Sequence, residues 1–345
     1  MNEKLKRISF LDGLRGVAIL WVILFHAYVR WPNLVAYGNK YSDVMFFKYG
    51  WLGVDLFFMI SGFVILMTLE KTTDFFQFMY RRWLRLFPAM LIVSLLVFTT
   101  ARAVFPERPS GIPVFRDLLP GLTFISNDLL ARIFHTPMGV IDGVYWSLFV
   151  EVKFYVLFGI IFFAFGADAA IAGLVGLFIS YILNIPWMGQ FAPEYMGWFA
   201  SGAMFYLYFK SASKKWLWMG LLMALAGAVS LPTKNVDAKL AAAVMSLFFM
   251  LVIMNERLQS IIGSKFLLFL GFVSYPLYLI HQNMMISLIV KLGRWMPFIP
   301  DFLLPVIPIA FVVAIGWLIA TYAEPGFRNL LRGIFEEKKA RKPKA

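Results

Sequence analysis

The 345-residue chain contains no cysteine and few charged residues. The absence of cysteine excludes disulfides, thiolate metal sites and a cysteine nucleophile, and it leaves the redox compartment undetermined. Charged residues make up 15% of the chain, 61% of the residues are hydrophobic, and the mean hydropathy is +0.76. Because soluble domains have about 25% charged residues, this composition excludes a soluble globular protein. It predicts an all-α, polytopic bundle of transmembrane helices.

The apolar segments predict the number of spans and the side on which the termini lie. With ~20 apolar residues needed per span, we predict ten, at about 14–31, 51–69, 86–105, 146–165, 169–187, 191–209, 215–231, 239–254, 266–290 and 302–322. An even number places both termini on one side. Of the basic residues, 19 lie on that side, including Lys4, Lys6 and Arg7, and 11 lie on the other. The positive-inside rule therefore predicts cytoplasmic termini.

The regions outside the spans carry three further expectations. No small-residue cleavage site follows the N-terminal apolar stretch, so we expect the first span to be retained. We divide the chain into a transmembrane domain, 1–330, and a basic cytoplasmic tail, 331–345, whose end EEKKARKPKA is expected to be disordered and to face lipid headgroups. The outer loop, about 106–145, is rich in proline and glycine and holds four acids: Glu107, Asp117, Asp128 and Asp142. The net charge of +13 is spread between the apolar runs, which indicates membrane lipids rather than nucleic acid as the partner.

Four ionisable residues lie inside separate apolar segments, where such groups are costly and indicate a functional site. With a rise of about 1.5 Å per residue, His26 and His281 lie about 18 and 22 Å above the cytoplasmic edge. Asp55 and Glu151 lie about 6 and 7 Å below the outer edge of a core about 30 Å thick. All four therefore share the outer half of the membrane, which favours one common site. The structural alternative is that each carboxylate pairs with Lys153 or Arg30.

A second polar cluster is predicted at the cytoplasmic ends of the spans. It comprises Asp12 and Arg15, Arg81, Arg82 and Arg85, and Glu324. Arginines on neighbouring faces of one helix turn suit a phosphate-bearing ligand, because each guanidinium can bind phosphate through two hydrogen bonds. The alternative is that these arginines only hold the helix at anionic headgroups.

Five segments together give the chain a family resemblance: LDGLRGVAILWVILFH (11–26), GVDLFFMISGF (53–63), RRWLRLFP (81–88), VYWSLFVEVKFY (144–155) and SYPLYLIH (274–281). In this order they resemble acyltransferase family 3, bacterial integral-membrane O-acyltransferases that modify surface glycans. The segment from about 166 to 265 adds little to the resemblance. The esterase-like domain fused to some members is missing, so we expect any second transfer step either to need a partner or not to occur.

The resemblance implies an enzyme of the inner membrane. It would move an acyl group, expected to be acetyl, from cytoplasmic acyl-CoA to a hydroxyl of an extracytoplasmic glycan or lipid-linked saccharide, such as a lipopolysaccharide or exopolysaccharide. It matches His26 to the family's essential histidine and Glu151 to the acid of the WSL motif. Arg15, Arg82, Arg85 and Glu324 match positions associated with the CoA end. No metal is expected.

The resemblance and the depths together suggest a mechanism. His26 is predicted to be the general base, a role suited to imidazole near neutral pH. Asp55 or Glu151 would orient it, and whether His26 instead carries a transient acyl group stays open. Contacts to the acceptor or to an oxyanion are predicted for Trp146, Ser147, Tyr155, Tyr275 and His281. The alternative function is a transporter or flippase of a small anionic or lipid-linked substrate, and the oligomeric state stays open.

Overall fold

The computed structural model describes residues 8–103 and 107–340, without the side chains of 102, 103 and 334–340. Within these residues the secondary structure is helical and contains no strand, which confirms the all-α class. Lys4, Lys6 and Arg7, and the last five residues of the predicted tail, lie outside the described residues.

The described residues of the first half of the chain form eight helices: α1 (Ser9–Phe25), α2 (Met45–Lys48), α3 (Gly53–Leu69), α4 (Phe75–Ala103), α5 (Leu118–Thr123), α6 (Asn127–Phe134), α7 (Trp146–Phe165) and α8 (Ala167–Ile182). The second half contains α9 (Pro193–Ser211), α10 (Lys214–Val229), α11 (Val236–Met254), α12 (Glu256–Ile262), α13 (Lys265–Ile280), α14 (Ile286–Trp295), α15 (Val306–Leu318) and α16 (Glu324–Ala340). The structure also describes three π-turns: His26–Arg30 directly follows α1, His281–Met285 joins α13 to α14, and Ile319–Ala323 joins α15 to α16.

In the part of the chain that the structure describes, six helical segments are long and apolar enough to cross a bilayer: Ser9–Arg30, Gly50–Leu69, Phe75–Ala101, Gly143–Phe165, Val236–Met254 and Val306–Gly333. A pair bent by 65°, Glu256–Ile262 with Lys265–Trp295, is a seventh candidate. The chain is therefore a multi-pass membrane protein. Three more predicted spans correspond to α8, α9 and α10. These helices are too short or too polar to be counted among the segments that could cross a bilayer, so the total of ten stays a prediction.

Two predicted boundaries change. Helix α4 begins at Phe75, well before the predicted span start at about 86, so Arg81, Arg82 and Arg85 lie on the helix itself. The disordered tail is wrong for residues 336–340, because α16 continues to Ala340.

The described residues divide into two compact units. Unit 1 comprises the described part of Met1–Phe25 together with Tyr41–Phe78 and Ser147–Phe272. Unit 2 comprises His26–Lys40, Met79–Trp146 and the described part of Val273–Ala345. The units alternate along the sequence.

In unit 1, small residues allow α3 and α9 to approach closely. A Cβ on Gly62 would lie 2.0 Å from the carbonyl oxygen of Phe199, and a Cβ on Gly202 would lie 1.9 Å from that of Met59. Glycine is therefore required on both helices, as is typical of close helix pairs in membranes. The stacked rings of Phe154 and Phe199, 4.0 Å apart between centroids, extend this core.

In unit 2, two π-turns, His281–Met285 and Ile319–Ala323, interrupt regular helices, whereas the π-turn that begins at His26 follows the end of a helix. The π-turn from His281 follows Pro276, which lacks the N–H that an α-helix needs at that position. Single π-turns inside helices occur frequently at functional sites.

Candidate active site

The two intramembrane histidines meet in unit 2. Nε2 of His281 lies 3.2 Å from Nδ1 of His26, and the rings meet edge to face at 82° with their centroids 4.7 Å apart. The exposed fractions are 9% for His26 and 0% for His281. The predicted proximity of these two residues is therefore observed, whereas their chemical roles stay predictions.

A backbone carbonyl determines which nitrogen of each ring carries a proton. Nδ1 of His281 lies 2.8 Å from the carbonyl oxygen of Tyr278, which can only accept a hydrogen bond. In neutral His281, Nδ1 therefore carries the proton and Nε2 is an acceptor. His26 then donates from Nδ1, so its Nε2 is the unprotonated nitrogen that a general base requires.

A buried polar network adjoins the histidine pair. The sequence analysis did not predict this network. The carboxylate of Asp142 accepts hydrogen bonds from the side chain of Gln282 at 2.9 Å and from the backbone N–H of Asn283 at 3.1 Å. Gln282 and Asn283 directly follow His281, and the exposed fractions of all three network residues are 5% or less. The amide side chains of Gln282 and Asn283, next to a histidine within an apolar segment, were the feature of the sequence that could have indicated this network.

Burial and the neighbouring positive charge shift the pKa of Asp142 in opposite directions. Asp142 precedes the span that begins at Gly143, and burial raises the pKa of its carboxyl to about 7. Hydrogen bonds from backbone N–H groups and the charge of Arg108 act the other way and are outweighed. Burial likewise lowers the pKa of Arg108, whose guanidinium donates to the carbonyl of Ile141 at 2.5 Å.

Glu151 lies in unit 1, on the second turn of α7. Its Oε1 accepts hydrogen bonds from the hydroxyls of Ser61, at 2.7 Å, and Tyr155, at 2.5 Å. Tyr155 is one of the predicted substrate contacts, and in the structure its hydroxyl is held by this carboxylate. Ser61 was not identified from the sequence, although it lies within the second family motif.

Asp55 also lies in unit 1, near the start of α3, and it is buried. It forms no hydrogen bond or ion pair with the described residues of that unit. Neither Asp55 nor Glu151 pairs with Lys153, so that structural alternative is not observed. Arg30, the other proposed partner, lies in unit 2 with its guanidinium 4.5 Å from the ring centroid of Trp31. The orientation of His26 by a carboxylate stays a prediction.

The cytoplasmic cluster is also divided between the units. In unit 2, Glu324 forms an ion pair with Arg328 at 3.5 Å. The positive charge of Arg85 also attracts the carboxylate of Glu324. Arg82 lies one helical turn before Arg85 on α4 and is half-buried. Arg15 lies in unit 1, where it pairs with Asp12 at 2.8 Å.

The remaining predicted substrate contacts have different environments. Trp146 is 41% exposed at the start of α7, whereas Ser147 is buried. The hydroxyl of Tyr275 donates to the carbonyl of Leu86 at 2.8 Å within unit 2. Among the described residues, no three His, Asp or Glu side chains are grouped so that they could hold a metal ion.

Comparison with known proteins identifies the family. The family model described as an acyltransferase domain matches residues 8–322. The chain therefore belongs to acyltransferase family 3.

The curated relatives are named as O-acetyltransferases. The chain is 30% identical over 165 residues to O-acetyltransferase OatA of Staphylococcus aureus (strain NCTC 8325 / PS 47), covering 44% of this chain and 24% of that protein. It is 28% identical over 173 residues to a provisionally named O-acetyltransferase of Staphylococcus aureus (strain COL), covering 46% and 25%. The matched part thus spans about a quarter of the length of these relatives. No solved structure matches the chain significantly.

Proposed function

We propose that this protein is an O-acyltransferase of the bacterial inner membrane, with ten spans and cytoplasmic termini. It moves an acyl group, expected to be acetyl, from cytoplasmic acyl-CoA to a hydroxyl of an extracytoplasmic glycan or lipid-linked saccharide. The family match over residues 8–322 and the names of the relatives as O-acetyltransferases support this reaction class.

The hydrogen bond between His26 and His281 is the observation on which the proposal mainly rests. A buried pair of this kind leaves Nε2 of His26 as a base with a fixed ring orientation. Nε2 takes the proton of the acceptor hydroxyl while the oxygen attacks the thioester carbonyl. The C–S bond then breaks, and the imidazolium returns the proton to the CoA thiolate. His281 holds the Nδ1 proton of His26 throughout.

The arginines of α4 would hold the donor. Arg82 and Arg85 lie one turn apart on a single helix, a spacing at which both guanidiniums can reach one ligand. CoA carries phosphates, which guanidinium groups bind through paired hydrogen bonds. Glu324 would limit the conformations of Arg85 through their attraction.

The test is acyl transfer by the purified protein in detergent. With acetyl-CoA labelled in the acetyl group and a saccharide acceptor, we expect label in the saccharide together with free CoA thiol. His26→Ala protein provides the inactive control. A transporter or flippase would release no thiol and would instead move its substrate across proteoliposomes, and that result would contradict the proposal.

A further inference from the structure

The helix that carries His281 is interrupted at that residue. Backbone N–H and carbonyl groups at the interruption therefore need other hydrogen-bond partners. Helix α13 ends at Ile280, the π-turn occupies His281–Met285, and α14 begins at Ile286. A π-turn disturbs the regular pattern of N–H to carbonyl bonds, and buried backbone groups need partners. The ring of His281 bonds the carbonyl of Tyr278, on the N-terminal side of the interruption.

Asp142 supplies partners on the C-terminal side of the interruption. Its Oδ2 accepts the backbone N–H of Asn283 at 3.1 Å, and its Oδ1 accepts from the side chain of Gln282 at 2.9 Å. Oδ1 also accepts the N–H of Val144 at 3.2 Å, which fixes the carboxylate relative to its own turn. Asp142 has no exposed surface, so water does not compete for these bonds.

The same turn also holds the helix before the interruption. The hydroxyl of Tyr278 donates to the carbonyl of Val144 at 3.2 Å. Tyr278 is also the residue whose carbonyl fixes His281. The turn around Asp142 therefore contacts residues on both sides of His281, three positions before it and one and two positions after it.

The outer loop reinforces this contact through Asn283. Its side-chain amide donates to the carbonyl of Ile141 at 3.0 Å, and its amide oxygen accepts the N–H of Ser110 at 3.2 Å. A Cβ on Gly143 would lie 2.9 Å from Nε2 of Gln282, so glycine permits the close approach of the turn. Arg108, bound to Ile141, places a positive charge near Asp142.

We infer that Asp142 is a positioning residue for the histidine pair. Its carboxylate fixes the π-turn so that His281 keeps one ring nitrogen on Tyr278 and the other on His26. Asp142 acts through Gln282 and Asn283, the two residues that follow His281. This inference rests on the proposed function insofar as His26 is the base.

Asp142→Asn, compared with the parent at about pH 8 where Asp142 is ionised, is the direct test, and Asp117→Asn is its matched control. An asparagine at 142 has only one oxygen, so its amide NH₂ must face an N–H donor where a carboxylate oxygen stood. Asp117 is also a buried acid of the outer loop, and each of its oxygens accepts one backbone N–H, from Val114 or Gly139. Asp117→Asn creates the same local mismatch without touching α13 or α14.

The first readout does not depend on activity. The chain has three histidines, and His135 is exposed in the outer loop, so protein labelled with ¹⁵N-histidine gives few ring signals. We expect solid-state NMR to show Nδ1–H tautomers for His26 and His281 in the parent and in Asp117→Asn. We expect Asp142→Asn to shift or broaden both sets of signals.

The second readout is the kinetics of acyl transfer. Small misplacements of a catalytic group cost on the order of 100-fold, so we expect Asp142→Asn to lower kcat by about 10- to 100-fold. The KM for acyl-CoA should stay within about 3-fold of the parent, because a positioning effect on the base leaves donor binding intact. Asp117→Asn should retain the parent kcat.

Parent-like histidine signals and parent-like kcat in folded Asp142→Asn protein would overturn the inference. If that variant is not recovered folded, Gln282→Leu decides, because it removes the side chain that donates to Oδ1 of Asp142; unchanged histidine signals and kcat there would overturn the inference equally. An inactive parent with intact histidine tautomers would instead count against the proposed function, and the NMR comparison would still test the role of Asp142.

Discussion

Nε2 of His281 accepts a hydrogen bond from Nδ1 of His26 at 3.2 Å, and Nδ1 of His281 donates to the carbonyl of Tyr278. The two rings thus form a directed chain that runs from the backbone carbonyl of Tyr278 through His281 to Nδ1 of His26. A neutral imidazole occupies the position that a carboxylate often takes beside a catalytic histidine. The orientation of His26 within unit 2 therefore has a structural explanation that does not require Asp55 or Glu151.

Substitutions of the two histidines should have unequal effects. We expect His26→Ala and His26→Gln each to lower kcat for acyl transfer by about 10²- to 10⁴-fold, the usual contribution of a general base. His281→Gln should lose only about 10-fold, because the amide oxygen can still accept from His26, and His281→Leu should lose more. Steady-state kinetics measures this order of the losses in kcat, on variants that elute from a size-exclusion column at the same volume as the parent.

His135→Gln is the control for replacing a histidine, because His135 is exposed and lies outside the pair. Equal losses in His281→Gln and His281→Leu would contradict the directed chain. Transfer at the parent rate in both His26 variants would remove His26 from the mechanism.

The arginines of α4 should affect donor binding rather than the chemical step. We expect Arg82→Ala combined with Arg85→Ala to raise the KM for acyl-CoA by about 10-fold or more, since each charge-assisted hydrogen bond contributes about 1.5–3 kcal/mol. Arg81→Ala is the matched control, because Arg81 is exposed on the same turn and is not one of the positions that the family resemblance matches to the CoA end. Unchanged acyl-CoA binding in the double variant, measured by equilibrium dialysis, would favour contact with lipid headgroups instead.

The sequence predicts the features that depend on local periodicity. Apolar length predicts the positions of the helices, and the rise per residue predicts that His26 and His281 lie at a similar depth, where the structure brings them together. The role of Asp142 could not be predicted in this way, because it lies in a loop and its partners follow 140 and 141 positions later. The π-turns were also missed, since the hydrophobic pattern of a helix is almost unchanged by one widened turn.

The close pair of helices in unit 1 predicts a loss of stability. We expect Gly202→Ala to destabilise the protein by at least about 1–3 kcal/mol, because the added Cβ would overlap the carbonyl of Met59 and backbone atoms cannot move aside. Gly62→Ala should behave alike against Phe199. Gly176→Ala on α8 is the control, since a Cβ there meets no atom within 4 Å. Thermal unfolding in detergent measures all three, and parent-like stability of Gly202→Ala would show that α3 and α9 are not in such close contact.

Asp142 should make the stability of the protein depend on pH. Burial raises the pKa of its carboxyl from 3.8 to about 7, so between these values the folded protein binds a proton that the unfolded chain releases. The unfolding free energy therefore falls as pH rises from about 4 to about 7, by about 4 kcal/mol for this group, and levels off above that. Asp142→Asn stays uncharged and should remove this part of the slope, whereas Asp117→Asn should retain it. Unfolding midpoints measured between pH 4 and 8 test the difference, and a parent-like slope in Asp142→Asn would mean that ionised Asp142 is stabilised by Arg108 and its hydrogen-bond donors as fully as water stabilises it in the unfolded chain.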